Sequence, residues 1–187
     1  MFVSIRIMKQ PILTTERMIL RPFELSDAND VQRLAGAREI ADTTLTIPHP
    51  YEDGMAEEWI KTHKPQFELG KLVNFALTGI EGGLLMGAIG LTINKTHNNA
   101  EMGYWVGKPF WNGGYCTEAA AAVMQYAFSE LELNRVFANY VSRNSASGRI
   151  MEKIGMKYEG MMPKHVLNNG VYEDLILYGI VRSDWEK

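Results

Sequence analysis

The sequence predicts a mixed α+β protein: one β-sheet flanked by helices, within a single domain. Three observations predict it. Segments with strand and helix periodicity follow one another as strand, two helices, three strands, helix, strand, helix and at least one more strand. Such an order, combining consecutive strands with strand–helix–strand units, gives a mixed sheet covered by helices. No stretch rich in Pro, Gly and Ser is long enough for a linker, and no repeat or low-complexity tract divides the chain. Its 187 residues sit near the upper end for one domain and can bury a sizeable core without staples.

Each element has its own justification. Glu16 to Phe23 alternates well enough for a first strand, with Pro22 near its end as an edge strand tolerates. Ser26 and Asp27 offer caps for a helix over about 27–36, with Val31, Leu34 and Ala35 on one face. The segment Asp42 to Tyr51 contains Pro48 and Pro50 and reads as an irregular loop. A second helix is expected from Glu52, carrying Met55, Trp59 and Ile60 inward and broken near Lys64 by Pro65. Residues 72–78 and 84–94 are strands joined by Glu81-Gly82-Gly83, a short-hairpin signature, and 100–106 is a further strand. The longest helix signal covers 117–131, where Ala120, Val123, Met124, Ala127, Phe128 and Leu131 form one apolar stripe. Residues 135–141 make a strand, and 145–155 a helix stopped at Gly155. Residues 171–181 make a late strand whose apolar run from Leu175 predicts a central position covered on both faces.

Composition excludes several function classes. Lys plus Arg total 19 and Asp plus Glu 22, a net charge of −3, which argues against gripping a nucleic-acid backbone as the main role. Apolar residues at 46% and charged residues at 22% are ordinary for a globular protein and exclude disorder as the dominant state. The lone Cys116 rules out an internal disulfide framework and a CxxC knuckle, and His49, His63, His97 and His165 lack metal-ligand spacing, so no metal is expected. No apolar run reaches the roughly 18 residues of a membrane span, and the first ten residues lack a signal peptide's apolar stretch. The expectation is a cytoplasmic protein with neither a nucleic-acid nor a membrane partner.

The chemistry concentrates between Glu101 and Glu118, EMGYWVGKPFWNGGYCTE. A strand ends at Val106, a loop with Gly and Asn follows, and a helix starts near Gly114 to Thr117. That arrangement points unpaired backbone N–H groups at one spot, and the helix dipole adds partial positive charge there. Glycine matters because a Cβ would block an anion's approach to the backbone. A phosphate or pyrophosphate is the natural guest; the alternative is a tight turn needing glycine only for its dihedral angles. The Walker pattern GxxxxGK[ST] and the dinucleotide pattern GxGxxG are both absent.

Four segments carry a resemblance: Leu20-Arg21-Pro22-Phe23, Pro48-His49-Pro50-Tyr51, the run Ala100 to Ala119, and Asn144 to Gly160. By these the chain resembles the GNAT-type N-acetyltransferase superfamily, in its RimJ/RimL-like branch of ribosomal-protein N-terminal acetyltransferases. The resemblance implies one N-acetyltransferase domain over 1–187 with a core at about 12–182, and a mostly antiparallel central sheet. It also implies binding of acetyl-coenzyme A, as acyl donor, through backbone amides of the loop and helix start. Trp111, Asn112, Gly113, Gly114, Tyr115, Cys116 and Thr117 occupy that stretch. The family's loop pattern, Gln/Arg-x-x-Gly-x-Gly/Ala, is met at Gly114, with Trp111 and Cys116 as departures. Asn144 opens the family's second cofactor segment, beside the pantetheine arm. The residue seven beyond it, a proton-donating Tyr in many members, is Met151. Ser147 is where Rim-like members can carry a serine in that role; the alternative for Ser147 is a helix-capping hydroxyl.

Transfer of acetyl from a thioester to an amine needs a neutral amine, a donor aimed at the developing oxyanion, and stabilisation of the departing thiolate. Glu101 is the base candidate, acting directly or through water, against the alternative of a solvent-facing edge carboxylate. A backbone N–H near Trp105 or Val106 is the oxyanion donor implied by the family's splayed strands. Tyr104 and Trp105 alternate faces, so one packs in the core while the other can line the acceptor channel. Cys116 stands at a helix N-terminus without a nearby His, and a nucleophilic role is not expected. The acceptor is an amine, either a protein N-terminus or a small amine, framed by Thr43–Tyr51 and Lys164–Asp174 with Asp42, Glu173 and Asp174 as candidate attractants. Quaternary structure stays open between monomer and homodimer. Two other readings compete: a silent acyl-coenzyme A sensor or interaction module, favoured by Met151 and Trp111, and an unrelated nucleotide-phosphate binder.

Overall fold

The computed structural model describes residues 9–168 and 170–186. Met1–Met8, Asn169 and Lys187 lie outside the described residues, and with them most of the segment expected to carry no signal peptide. Eight strands form one sheet: β1 (Leu13–Thr14), β2 (Met18–Arg21), β3 (Leu72–Gly79), β4 (Leu85–Asn94), β5 (Asn99–Val106), β6 (Arg135–Val141), β7 (Lys157–Asn168) and β8 (Val171–Val181). Their spatial order is β1-β2-β3-β4-β5-β6-β8-β7. Every neighbouring pair is antiparallel except β5 with β6, which is parallel. This is the mixed, mostly antiparallel sheet with flanking helices that the sequence predicts.

Helices cover both faces. The connection from β2 to β3 holds α1 (Ala28–Ala35), α2 (Arg38–Ala41) and α3 (Met55–Glu68). Their apolar residues Val31, Leu34, Ile40 and Ile60 pack on Ala76, Ala88 and Trp105. On the opposite face α4 (Tyr115–Ser129) and α5 (Ser145–Lys153) set Val123, Met124 and Met151 against Phe75, Leu77, Ile89 and Met102. The alternation of β3, with Phe75 and Leu77 on one side and Ala76 on the other, is what lets one strand serve two layers. Full burial of a side chain as large as Phe75 contributes about 3 kcal/mol, so this two-sided core dominates stability. A short helix, α6 (Arg182–Trp185), closes the described chain.

Several expected boundaries need correction. The first strand is shorter than 16–23, and β1 precedes it across a tight turn. Pro65 does not break α3, which runs on to Glu68. The carbonyl of Lys61, deprived of its ladder donor, belongs to an exposed residue, so water can satisfy it. Met55 is exposed at the start of α3, where Ala56 takes the inward position. The strand β8 lies next to the edge rather than at the centre, because β7 covers it. β7 escapes the sequence pattern because most of its residues are exposed and two register shifts interrupt it.

Candidate active site

The sheet is split at its parallel pair. β5 and β6 are in register only from Asn99 opposite Arg135 to Glu101 opposite Phe137. Beyond that point Met102–Val106 pair only with β4, and Ala138–Val141 only with β8. Gly107 N–H donates to Met86 O at 2.8 Å. By the alternation of an antiparallel ladder, the main-chain groups of Gly103 and Trp105 then face β4, while those of Met102, Tyr104 and Val106 face the gap. The oxyanion-donor expectation therefore narrows to Val106 and adds Tyr104; the Trp105 N–H points the other way. A cleft of 1530 Å³ follows the split, reaching Val31 and Trp59 on one helical layer and Cys116 and Ser147 on the other.

At the cleft's α4 end, Gly114 is the helix N-cap with φ +79° and no side chain caps the helix. Asn112, at φ 61°, is also left-handed. The ladder of α4 begins with Glu118 N–H donating to Gly114 O at 3.1 Å, so the N–H groups of Tyr115, Cys116 and Thr117 precede it. A Cβ at Gly113 would come within 2.6 Å of the Tyr115 ring. These groups form a concave, partially positive end suited to a pyrophosphate. The Trp111 indole donates to Val106 O at 2.6 Å, tying the loop to the strand it follows.

Arg17 braces the same loop from the β1–β2 turn, and nothing local in the sequence marks it. Its backbone N–H and Nε donate to the Glu118 carboxylate at 2.9 and 2.7 Å, and Nη1 donates to Gly113 O at 2.9 Å. Its guanidinium lies 4.4 Å from the Tyr115 ring centroid. Burial pushes the Cys116 thiol up to about 12, so the helix N-terminus holds a thiol and not a thiolate.

Glu101 and Ser147 lie on opposite faces of the split. Glu101 shares its face with Gly103 and Trp105, and its Oε1 accepts from Asn139 Nδ2 on β6 at 2.6 Å. On the other face the Tyr104 hydroxyl reaches across the gap, 2.8 Å from Ser147 Oγ and 3.1 Å from Ser147 O. Burial raises the Tyr104 phenol well above its ordinary value, so it stays protonated. Asn144 is the α5 cap: its Oδ1 accepts from Ser147 N–H at 3.4 Å, and its Nδ2 donates to Thr43 O at 3.2 Å. The buried Ser147 hydroxyl thus pairs with Tyr104 and does not serve as the cap. Met151 packs in the core.

The acidic attractants fall elsewhere than expected. Glu173 pairs with Arg143 Nη2 at 2.8 Å, Asp174 accepts from Lys164 N–H at 2.8 Å, and Asp42 stands 3.8 Å from Arg38 Nε. None of the three lines the cleft; Asp53, Glu57, Glu58 and Glu101 do. Among the described residues no group of three or more His, Cys, Asp or Glu could hold a metal ion.

Comparison with known proteins matches this architecture. YdaF of Bacillus subtilis, named for ribosomal N-acetylation, is 38% identical over 116 residues. That match covers 59% of this chain and 63% of YdaF, so less than two thirds of that relative is spanned. The uncharacterized N-acetyltransferase YoaA of B. subtilis is 28% identical over 92% of this chain and 97% of its own. A crystal structure of a GNAT-family acetyltransferase from Bacillus anthracis superposes with a TM-score of 0.81 at 26% identity, covering 92% of this chain and 99% of that one. The model of the acetyltransferase (GNAT) domain family matches residues 17–157, well over half of the sequence, and the chain belongs to that family.

Proposed function

We propose that this protein is an N-acetyltransferase that moves the acetyl group of acetyl-coenzyme A directly to a primary amine, and that the amine is a protein N-terminus, as in the RimJ/RimL-like branch. The observation that carries the reading is the split between β5 and β6, with an anion-binding loop at one end and Glu101 at the other. The name of YdaF favours a ribosomal acceptor.

Acetyl-coenzyme A supplies an activated thioester on a long pantetheine arm behind a pyrophosphate. The residues present fit it: no side chain caps the first N–H groups of α4, and the gap presents the main-chain groups of Tyr104 and the N–H of Val106 along an arm's path. The loop N–H groups from Gly113 to Thr117 hold the pyrophosphate. One N–H group, that of Tyr104 or that of Val106, donates to the thioester oxygen as negative charge builds on it; about 6.7 Å apart along the strand, the two do not share one oxygen. Glu101, oriented by Asn139, takes the proton from the attacking amine, directly or through one water, as the C–N bond forms and the C–S bond breaks. Ser147, held by Tyr104, gives its proton to the departing sulfur and regains one from water, while the proton taken by Glu101 is released to solvent. A free α-amine, with a pKa of roughly 7.7–8.0, is far easier to neutralise near pH 7 than a lysine at about 10.4, which favours N-terminal acceptors.

The test is thiol release from acetyl-coenzyme A with a panel of amines: peptides with the N-termini of ribosomal proteins, spermidine and an aminoglycoside. Release that depends on the peptides is expected. Tight coenzyme A binding with no amine-dependent release would favour the silent sensor, and no binding at all would remove both readings.

A further inference from the structure

Gly103 is solvent-exposed at the middle of a strand deep in the sheet. Its cross-strand partner is Gly90. The two glycines have different explanations. A Cβ at Gly90 would overlap the Asn74 amide oxygen and come within 2.7 Å of Val73 O, and Asn74 is itself held by a 3.1 Å hydrogen bond between its Nδ2 and His63 Nε2. Gly90 is therefore required by the protein's own packing. At Gly103 a Cβ would meet no atom within 4 Å. Its backbone does not need glycine either, since φ lies outside the left-handed range.

A glycine in a strand interior costs stability through chain entropy and lost strand propensity. Where neither backbone strain nor neighbouring atoms explain it, the remaining physical reason is close approach of a ligand. The row of side chains on this face sharpens the point. Ala88 opposite Trp105 is buried beneath α1 and α3, and Thr92 opposite Glu101 lies two residues away along each strand. Between these rows the space over Gly103, bounded on the β4 side by the Asn74 amide that covers Gly90, opens into the cleft on the face that presents Glu101.

We propose that Gly103 is the floor of the acceptor channel, the substrate amine passing over its bare Cα between Trp105 and Glu101 to reach the thioester. The inference rests on the acetyltransferase reading above and adds a residue that determines which acceptors enter.

The experiment uses the full chain with Gly103→Ala and Gly103→Val, and the acceptor from the amine panel that wild type turns over fastest. Three quantities are read: calorimetric affinity for coenzyme A, thiol release without amine, and acceptor kcat and KM separately. Both variants are expected to melt no lower than wild type, because a side chain at an open strand position adds strand propensity. Gly103→Val is expected to lower acceptor kcat/KM by about tenfold or more, mainly through KM, with coenzyme A affinity and amine-free hydrolysis unchanged. Gly103→Ala is expected to lose about threefold, and it carries the test alone if the valine variant does not fold. Unchanged acceptor kcat/KM in the folded variants overturns the proposal. So does a parallel loss of coenzyme A affinity, which would assign the space to the pantetheine arm. Failure of wild type to use any amine is a separate result, read before the variants are made, and removes the acetyltransferase reading itself.

Discussion

Glu101 accepts a hydrogen bond from Asn139 across the last register pairs of the parallel ladder, and that contact orients one carboxylate oxygen; in the proposed mechanism the other meets the amine or a water. Glu101→Gln preserves the shape and can still accept from Asn139, but it cannot take a proton. It is expected to lower kcat at pH 7 by about 10²–10⁴ while coenzyme A affinity stays within about twofold. Rates measured across pH check this: a variant as fast as wild type at every pH would dismiss Glu101 as base. The sequence singles this residue out as a candidate because it sits just ahead of a glycine loop. Asn139 and Arg17 are not singled out, since each acquires meaning from a neighbour that is distant along the chain, nor is Gly103, since only the packing around it shows the space above it empty. Asn139 is 38 residues from Glu101, and Arg17 is 101 from Glu118.

Among the elements, α3 illustrates how context outweighs a local rule. Its Pro65 looks like a stop, yet His63 and Ile60 bury one face and Leu69 N–H bonds back to Pro65 O at 3.1 Å, so the turn is completed. His63 lies against Trp59 and Phe23, with ring centroids 4.4 and 5.3 Å away. Burial lowers its pKa to about 4. Its folded value lies below the ordinary 6.5, so as pH falls the unfolded chain binds the proton first and stability declines from about pH 6.5 to about pH 4. The accumulated loss is about 3 kcal/mol at the lower limit. Denaturant midpoints at pH 7 and pH 4.5 are expected to differ less in His63→Gln than in wild type; an equal difference would assign the acid sensitivity to other groups. The link between β2 and α1 behaves oppositely. Burial alone would raise Asp27, but two hydrogen bonds from Arg21 and one from Glu24 N–H outweigh it and hold the carboxyl below its usual range. That fork gives the Leu20-Arg21-Pro22-Phe23 segment a structural task.

At the scale of the whole molecule, the sheet is two sub-sheets hinged on a short parallel ladder and on the Tyr104–Ser147 contact. A ligand seated in the split touches both halves, so it should oppose their separation. Coenzyme A at about 100 times its Kd is expected to stabilise the fold by about 2.7 kcal/mol, seen as a saturable rise in melting temperature. A folded protein whose melting is indifferent to coenzyme A would contradict the assignment of the cleft. By itself the sequence determined the element types from Leu72 to Val141, the glycine loop ahead of α4 and the carboxylate upstream of it, because periodicity, caps and turn residues act over a few positions. It left β7 unseen and misplaced Met55, Pro65, β8 and the acceptor-side acids. Only the tertiary structure decided that β5 and β6 part company after Glu101, that Ser147 faces Tyr104 and not its own helix end, and that Gly103 opens onto empty space. Those outcomes depend on which distant segments share one volume, and packing settles that where local preference cannot.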